Sequence, residues 1–201
     1  MKKIVIKGKK ILNGEIHISG AKNSVVALIP ASIITDEIVT ITNVPKLSDT
    51  ENLQKIINLL GGEIKFGNGT LVIDSKSIKN EVIPEELASR LRASYYFMGA
   101  LLAKFSHVEI FLPGGCQIGA RPIDLHIKGF KKMGAKIITD GDKYIIDAPH
   151  LHGANIYLDK ASVGATVNIM LAASLADGKT TIENAAKEPE IINIATLLNN
   201  M

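Results

Sequence analysis

The same order of elements recurs along the 201-residue chain with a period of about 70 residues, and this recurrence restricts the fold more than any other feature. Each unit contains a stretch that is apolar nearly all round, at residues 23–34, 93–105 and 163–175. Helices without a polar face belong inside a core. A β-rich run follows at 38–42, 108–112 and 180–183, alternating as a half-exposed strand does. Beyond a loop comes an amphipathic helix, at 51–60, 123–133 and 190–201. The first two of these end at Gly61-Gly62 and Gly134-Ala135 and lead into hairpins around Gly67-Asn68-Gly69 and Asp140-Gly141-Asp142. The expected class is α/β, in β-α-β-α-β-β units. Met201 aligns with Leu60 and Met133, the last residues before the glycines, so the third repeat is expected to be truncated at a helix C-terminus.

Composition narrows the partners. Hydrophobic residues make up 46% of the chain, enough for a core in one or two compact units. The net charge is +3 and aromatics are only 4%, with no basic run interleaved with stacking residues, which argues against nucleic acid and suits a small anion. A single cysteine excludes an internal disulfide framework. The segment from Met1 to Lys7 is too short in apolar length for a signal peptide, and runs such as 25–34 are shorter than a bilayer span. No membrane partner is expected, and the cytoplasm is the expected location.

Each buried helix starts beside a cation. The openings are Gly20-Ala21-Lys22-Asn23-Ser24, Arg90-Leu91-Arg92-Ala93-Ser94 and Lys160-Ala161-Ser162-Val163-Gly164. A positive charge at a helix N-terminus opposes the macrodipole by a few tenths of a kcal/mol or more unless an anion compensates (roughly 0.3–1 kcal/mol). One such residue is equally well explained as a solvated helix start with its charge in water. Three in repeat register point instead to phosphate, which unpaired N–H groups and a nearby cation both attract.

The lone Cys116 lies in the glycine-rich stretch Leu112-Pro113-Gly114-Gly115-Cys116-Gln117-Ile118-Gly119-Ala120-Arg121-Pro122. A free cysteine is commonly a small buried hydrophobe. Here the glycines and Gln117 offer no apolar wall, and Arg121 would lower the thiol pKa, so a reactive thiol is expected.

Taken together, Gly20-Ala21-Lys22-Asn23, Arg92-Ala93-Ser94, the run from Pro113 to His126, Asp159-Lys160-Ala161-Ser162-Val163-Gly164-Ala165-Thr166 and Glu183-Asn184-Ala185-Ala186-Lys187-Glu188-Pro189-Glu190 resemble the UDP-N-acetylglucosamine 1-carboxyvinyltransferases, enolpyruvyl transferases of peptidoglycan synthesis. The likeness runs over the whole chain, and the cysteine motif is its most specific part. It implies an inside-out α/β barrel of three repeats, one of two such globes facing a shared cleft. It also implies transfer of the enolpyruvyl group of phosphoenolpyruvate to the 3-hydroxyl of UDP-N-acetylglucosamine, with no cofactor and no metal.

By motif position the resemblance assigns Lys22 and Asn23 to phosphoenolpyruvate. It assigns Arg92, the run Arg121, Pro122, Ile123, Asp124 and Leu125, and the run Lys160, Ala161, Ser162 and Val163 to the nucleotide-sugar. Cys116 becomes the general acid that protonates the methylene carbon. A proton donor within hydrogen-bond reach suits that step, a closing loop excludes water, and Lys22 with Arg121 can neutralise the leaving phosphate.

Asp124 is also explained by the dipole of the helix it opens. His107, His150 and His152 show no carboxylate or second histidine at metal-ligand spacing and receive no role. Lys46 and Glu188 occupy loops equivalent to that of Cys116, and Glu188 is a candidate cap for the helix after Pro189. The resemblance implies a second globe, absent here, that supplies a base and further arginines. Residues 1–20 resemble a strand pair joining that globe, leaving 21–201 as the first globe. The transferases acting on shikimate 3-phosphate share the fold but lack the Gly-Gly-Cys loop. A non-catalytic UDP-sugar-binding or assembly module is the alternative from another class, and a separate C-terminal half is a possible partner.

Overall fold

The computed structural model describes residues 3–90, 92–111 and 123–201. The first unit runs α1 (Lys22–Ala31), a 3-10 turn (Ser32–Ile34), β1 (Val39–Ile41), α2 (Ser48–Leu59), β2 (Glu63–Gly67) and β3 (Thr70–Asp74). The second has α3 (Glu85–Arg90), a 3-10 turn (Arg92–Tyr95), α4 (Tyr96–Phe105), β4 (His107–Phe111), α5 (Asp124–Lys132), β5 (Lys136–Asp140) and β6 (Lys143–Asp147). The third has β7 (Asn155–Tyr157), α6 (Val163–Ala173), β8 (Thr181–Glu183) and α7 (Pro189–Asn200).

The repeat holds in three dimensions. In the first unit the strands lie in the order β1-β3-β2, and in the second β4-β6-β5, all antiparallel. The β2–β3 hairpin closes between Gly67 and Thr70 with Asn68 at φ 49° and Gly69 at φ 69°. Two left-handed residues in a two-residue loop match the right-handed twist of the flanking strands, which is why Asn-Gly stands there. β7 and β8 pair in parallel, and Ile83 bridges Ile110 of β4 in the same parallel sense. Among the described residues the strands form three separate sheets, so the continuous barrel implied by the resemblance is not seen as one ladder.

The helices fill the centre. α4 packs on both α1 and α6, and Ala27, Ile29, Phe97, Leu101, Val167 and Ile169 are wholly shielded from water. The sheets lie outside, with one face on the helices and alternate residues such as Glu63, Lys65 and Val72 outward. α4 and α6 approach so closely at Gly99 that a Cβ would stand 2.4 Å from the carbonyl oxygen of Asn168. The Gly99 N–H donates to Asn168 Oδ1 at 2.7 Å, and Asn168 Nδ2 donates to the Gly164 carbonyl at 3.2 Å. This buried amide is therefore satisfied at both ends.

Some expected boundaries move. α2 begins at Ser48 rather than 51, because the Thr50 hydroxyl donates to the Leu47 carbonyl at 2.7 Å and accepts from the Leu47 N–H at 3.3 Å, which starts the helix earlier. The second buried helix begins at Tyr96, after a 3-10 turn, rather than at 93. α6 ends at Ala173 rather than 175. The sequence reading did not locate α3 or β7.

Residues 3–20 form no regular element and are exposed up to the end of the segment. The strand pair expected there is not built within this chain. At the junction the Gly20 N–H donates to the Asn43 carbonyl at 3.1 Å, and a Cβ at Gly20 would fall 2.1 Å from that oxygen.

Candidate functional site

The starts of α5 and α6 meet at one turn. α1 packs against the 3-10 turn Arg92–Tyr95, and Tyr95 of that turn touches His126 in the first turns of α5, their ring centroids 5.4 Å apart and nearly perpendicular. Gly164, the second residue of α6, meets both. A Cβ there would stand 2.7 Å from Tyr95 Oη and 2.9 Å from His126 Nε2. The predicted residues Ile123, Asp124 and Leu125 are thereby brought beside Ser162 and Val163.

Lys22 is the first residue of α1, and its anion is internal. Its ammonium pairs with the carboxylate of Asp49 in the first turn of α2. The pair answers the electrostatic objection to a cation at a helix start without any ligand, and it places Asp49 where the α2 dipole already favours an acid. Sequence spacing gave no sign of it. Asn23 and Lys46 are exposed, as are Lys160 and Ala161.

Ser162 caps α6, its Oγ accepting from the Ala165 N–H at 3.3 Å, so its residue type has a structural cause beside any role in binding. Ahead of it, Lys128 of α5 bonds Asp159 at 2.7 Å and ties α5 to the segment that leads into Lys160. Asp124 is exposed at the start of α5, while Ile123 and Leu125 are buried. The two buried residues serve the core, so only their backbone groups could face a ligand. Arg92 starts its 3-10 turn. Cys116, Arg121 and Pro122 lie outside the described residues.

His126 closes the motif that begins at Pro113, and the sequence reading placed it near the start of its helix without giving it a role. It is only 5% exposed, and burial, opposed by the backbone of Ile123 and Gly164 and by Asp124, pushes its pKa down to about 4. The ring is uncharged near neutrality. The backbone of Ile123 and of Gly164 lies close enough to the ring to favour its protonated form, although neither contact has full hydrogen-bond geometry.

Two other expectations change in detail. Glu188 stands at the N-cap of α7, but its carboxylate accepts from the Lys187 N–H at 2.9 Å and does not cap the helix. His107 does have carboxylates beside it, Asp147 at 2.5 Å and Glu109 at 3.7 Å, brought in by strand pairing on the outer sheet. Lys143 bonds Glu109 at 2.6 Å and holds its carboxyl below the usual range. Among the described residues no group of three or more His, Cys, Asp or Glu is placed to hold a metal. Nor is any described helix long and apolar enough to cross a membrane.

The family model described as EPSP synthase (3-phosphoshikimate 1-carboxyvinyltransferase) matches residues 6–201. The chain belongs to this family. Within the family, it is 54% identical over its whole length to UDP-N-acetylglucosamine 1-carboxyvinyltransferase 2 of Streptococcus thermophilus, covering 49% of that protein. It is equally 54% identical to the enzyme of the same name from Bacillus subtilis, covering 47% of it. This EPSP synthase family chain thus spans about half the length of the curated relatives it matches. Among solved structures, the enolpyruvyl transferase NikO from Streptomyces tendae superposes with a TM-score of 0.81 at 22% identity, over 94% of this chain and 44% of that one. EPSP synthase from Acinetobacter baumannii gives 0.71 at 20% identity, over 89% of this chain and 42% of that one. These two support the enolpyruvyl transferase α/β fold.

Proposed function

We propose that this chain is half of an enzyme that transfers the enolpyruvyl group of phosphoenolpyruvate to the 3-hydroxyl of UDP-N-acetylglucosamine in peptidoglycan synthesis. The observation that carries the reading is identity of 54%, over the full chain, to relatives named for that transfer. The meeting of the α5 and α6 starts at Tyr95 supports it, since the N–H groups of helix N-termini suit a diphosphate.

In this reading Lys22 leaves Asp49 to meet the phosphate of phosphoenolpyruvate, with Asn23 beside it. Arg92, the run Arg121 to Leu125 and the run Lys160 to Val163 hold the nucleotide-sugar. Cys116 protonates the methylene carbon, and the sugar 3-hydroxyl adds to the neighbouring carbon and loses its proton to a base on the second globe. The new methyl group then gives a proton back to a base as the C–O bond to phosphate breaks, so that inorganic phosphate leaves and the enol ether double bond forms. Cys116 can also add to that carbon covalently. The reaction is expected in the cytoplasm.

The second globe would complete the cleft. Residues 1–20 would join it, which accounts for the exposure of Ile4, Ile6, Ile11, Leu12, Ile16 and Ile18. Reaction of two substrates needs both at near-attack distance, and losing that arrangement forfeits roughly 7–11 kcal/mol of barrier lowering. The 201-residue chain alone is therefore expected to be inactive. The second reading is a non-catalytic UDP-sugar-binding or assembly module.

The test is phosphate release from phosphoenolpyruvate with UDP-N-acetylglucosamine, for this chain alone and mixed with a separately made second half. Activity on mixing supports the transferase. Nucleotide-sugar binding with no activity in the mixture supports the binding module, and turnover by this chain alone overturns the two-globe account.

A further inference from the structure

We propose that residues 3–19 pair as strands with the free edge of β8 in a second copy of this chain, so that the chain by itself is a dimer built by reciprocal exchange of its leading segment. The inference does not rest on the transferase reading, under which the second globe takes the same segment and the dimer gives way.

β8 lacks a neighbour that its counterparts have. β1 pairs antiparallel with β3, and β4 with β6, in each case the second strand of the hairpin that follows the amphipathic helix. β8 stands at the same place in its unit, since left-handed Asn43 (φ 56°) lies just beyond β1 and left-handed Asn184 (φ 55°) just beyond β8. On one side β8 is parallel to β7: the Thr181 N–H donates to the Ala154 carbonyl at 2.9 Å, and the Leu158 N–H donates to the Glu183 carbonyl at 3.1 Å. Backbone groups alternate from edge to edge along a strand, so the N–H and carbonyl of Ile182 point the other way, where no strand pairs among the described residues.

A groove of about 400 Å³ adjoins that edge, lined in part by Met170 and Ala173 of α6, Ala195 and Leu198 of α7, and Thr180 and Ile182. The Thr180 hydroxyl is shielded from water and has no partner among the described residues. Val39, Ile41, Val108 and Ile110, in the strands that do carry a hairpin, are at most 8% exposed, whereas Ile182 is only half-buried.

The leading segment has the form of what β1 and β4 receive. In the β2–β3 hairpin, Ile64, Phe66, Leu71 and Ile73 face the core. Ile4 and Ile6, and Ile16 and Ile18, alternate in the same way along 3–7 and 15–19, and they are 82–90% exposed. Charge agrees, since residues 3–10 carry four lysines while residues 177–190 carry four carboxylates against two lysines. An open strand edge and an uncovered apolar segment on one chain satisfy each other between copies, and exchange in both directions closes the assembly at two.

The experiment is sedimentation velocity over a concentration series, with amide hydrogen exchange, on the unmodified chain, the double variant Ile16→Lys/Ile18→Lys, and Ile182→Pro. The lysines replace side chains already in solvent, and the proline removes an edge N–H that β7 does not use, so neither variant breaks an internal hydrogen bond. The unmodified chain should sediment as a dimer with the amides of residues 15–19 protected, and each variant should dissociate at least tenfold more readily while remaining folded. A monomer at every concentration, protection of 15–19 within a monomer, species that grow beyond the dimer, or a dimer equally tight in either folded variant overturns the inference. Should Ile182→Pro fail to fold, the lysine variant decides alone.

Discussion

Asn193 of α7 donates to the Ser24 hydroxyl of α1 at 2.7 Å, joining residues 169 positions apart. The last amphipathic helix thus packs on the first buried one, as α5 of the second unit packs on α6 of the third. Two of the three amphipathic helices thus lean on the buried helix of another unit, and α7 brings the third unit back to the first. Replacing Asn193 by Ala leaves the buried Ser24 hydroxyl without this donor and should lower stability by about 1 kcal/mol in urea unfolding. An unchanged midpoint and slope would show that α7 is held by its apolar face alone.

Gly99→Ala should be among the most damaging single-methyl additions in the core. The new carbon meets backbone of Asn168 rather than a movable side-chain end, so α4 and α6 must separate, at about 1–3 kcal/mol or more. Gly67→Ala, where nothing lies within 4 Å, is the matched control and should change the melting temperature little.

The buried helices were legible because 23–34, 93–105 and 163–175 have no polar face, and the hairpins because Asn68-Gly69 and Gly141 mark their turns. α3 was not. Glu85–Arg90 is a single short helix whose charges and small residues carry no clear period. β7 was also hidden, since Asn155–Tyr157 becomes a strand only by pairing with β8 some 26 positions later. The same limit applies to the site. The cation at α1 was visible, but its partner Asp49 is set by how α2 packs on α1, and the burial of His126 is set by contacts with Tyr95 of its own unit and Gly164 of the third.

Acid should expose His126. Unfolded, the ring takes a proton near pH 6.5, whereas folded it does so only near 4. Between these values unfolding takes up a proton, so stability falls as pH drops from 6.5 to 4, by up to about 3 kcal/mol. His126→Phe should flatten this part of the stability curve measured by denaturant titration. A slope equal to that of the unmodified chain would contradict the burial of an uncharged ring.

Lys22→Met should separate binding from stability. The Lys22–Asp49 pair is largely exposed on the lysine side, with relative exposures of 57% and 21%, and such pairs contribute about 0–1 kcal/mol. The melting temperature should move by little, while phosphoenolpyruvate binding in the assembled enzyme weakens at least tenfold. A large loss of stability with unchanged affinity would make the pair purely structural.

In the assembled enzyme, Cys116→Ser should lose most turnover while nucleotide-sugar affinity stays nearly intact. Cys116→Asp should retain activity, because a carboxyl group can also give up a proton, yet escape alkylation by an epoxide phosphonate. Normal turnover in the serine variant would remove the general-acid assignment.

The contact of Gly20 with Asn43 gives the leading segment a fixed point of departure. Residues 3–19 are solvent-facing chain rich in isoleucine, and α1 enters the packed core directly after that contact. A protease should therefore strip the segment and stop near residue 20, since beyond that point the backbone is hydrogen-bonded and shielded. What remains would have shed its stickiest surface and should stay dispersed at concentrations where the untrimmed chain self-associates.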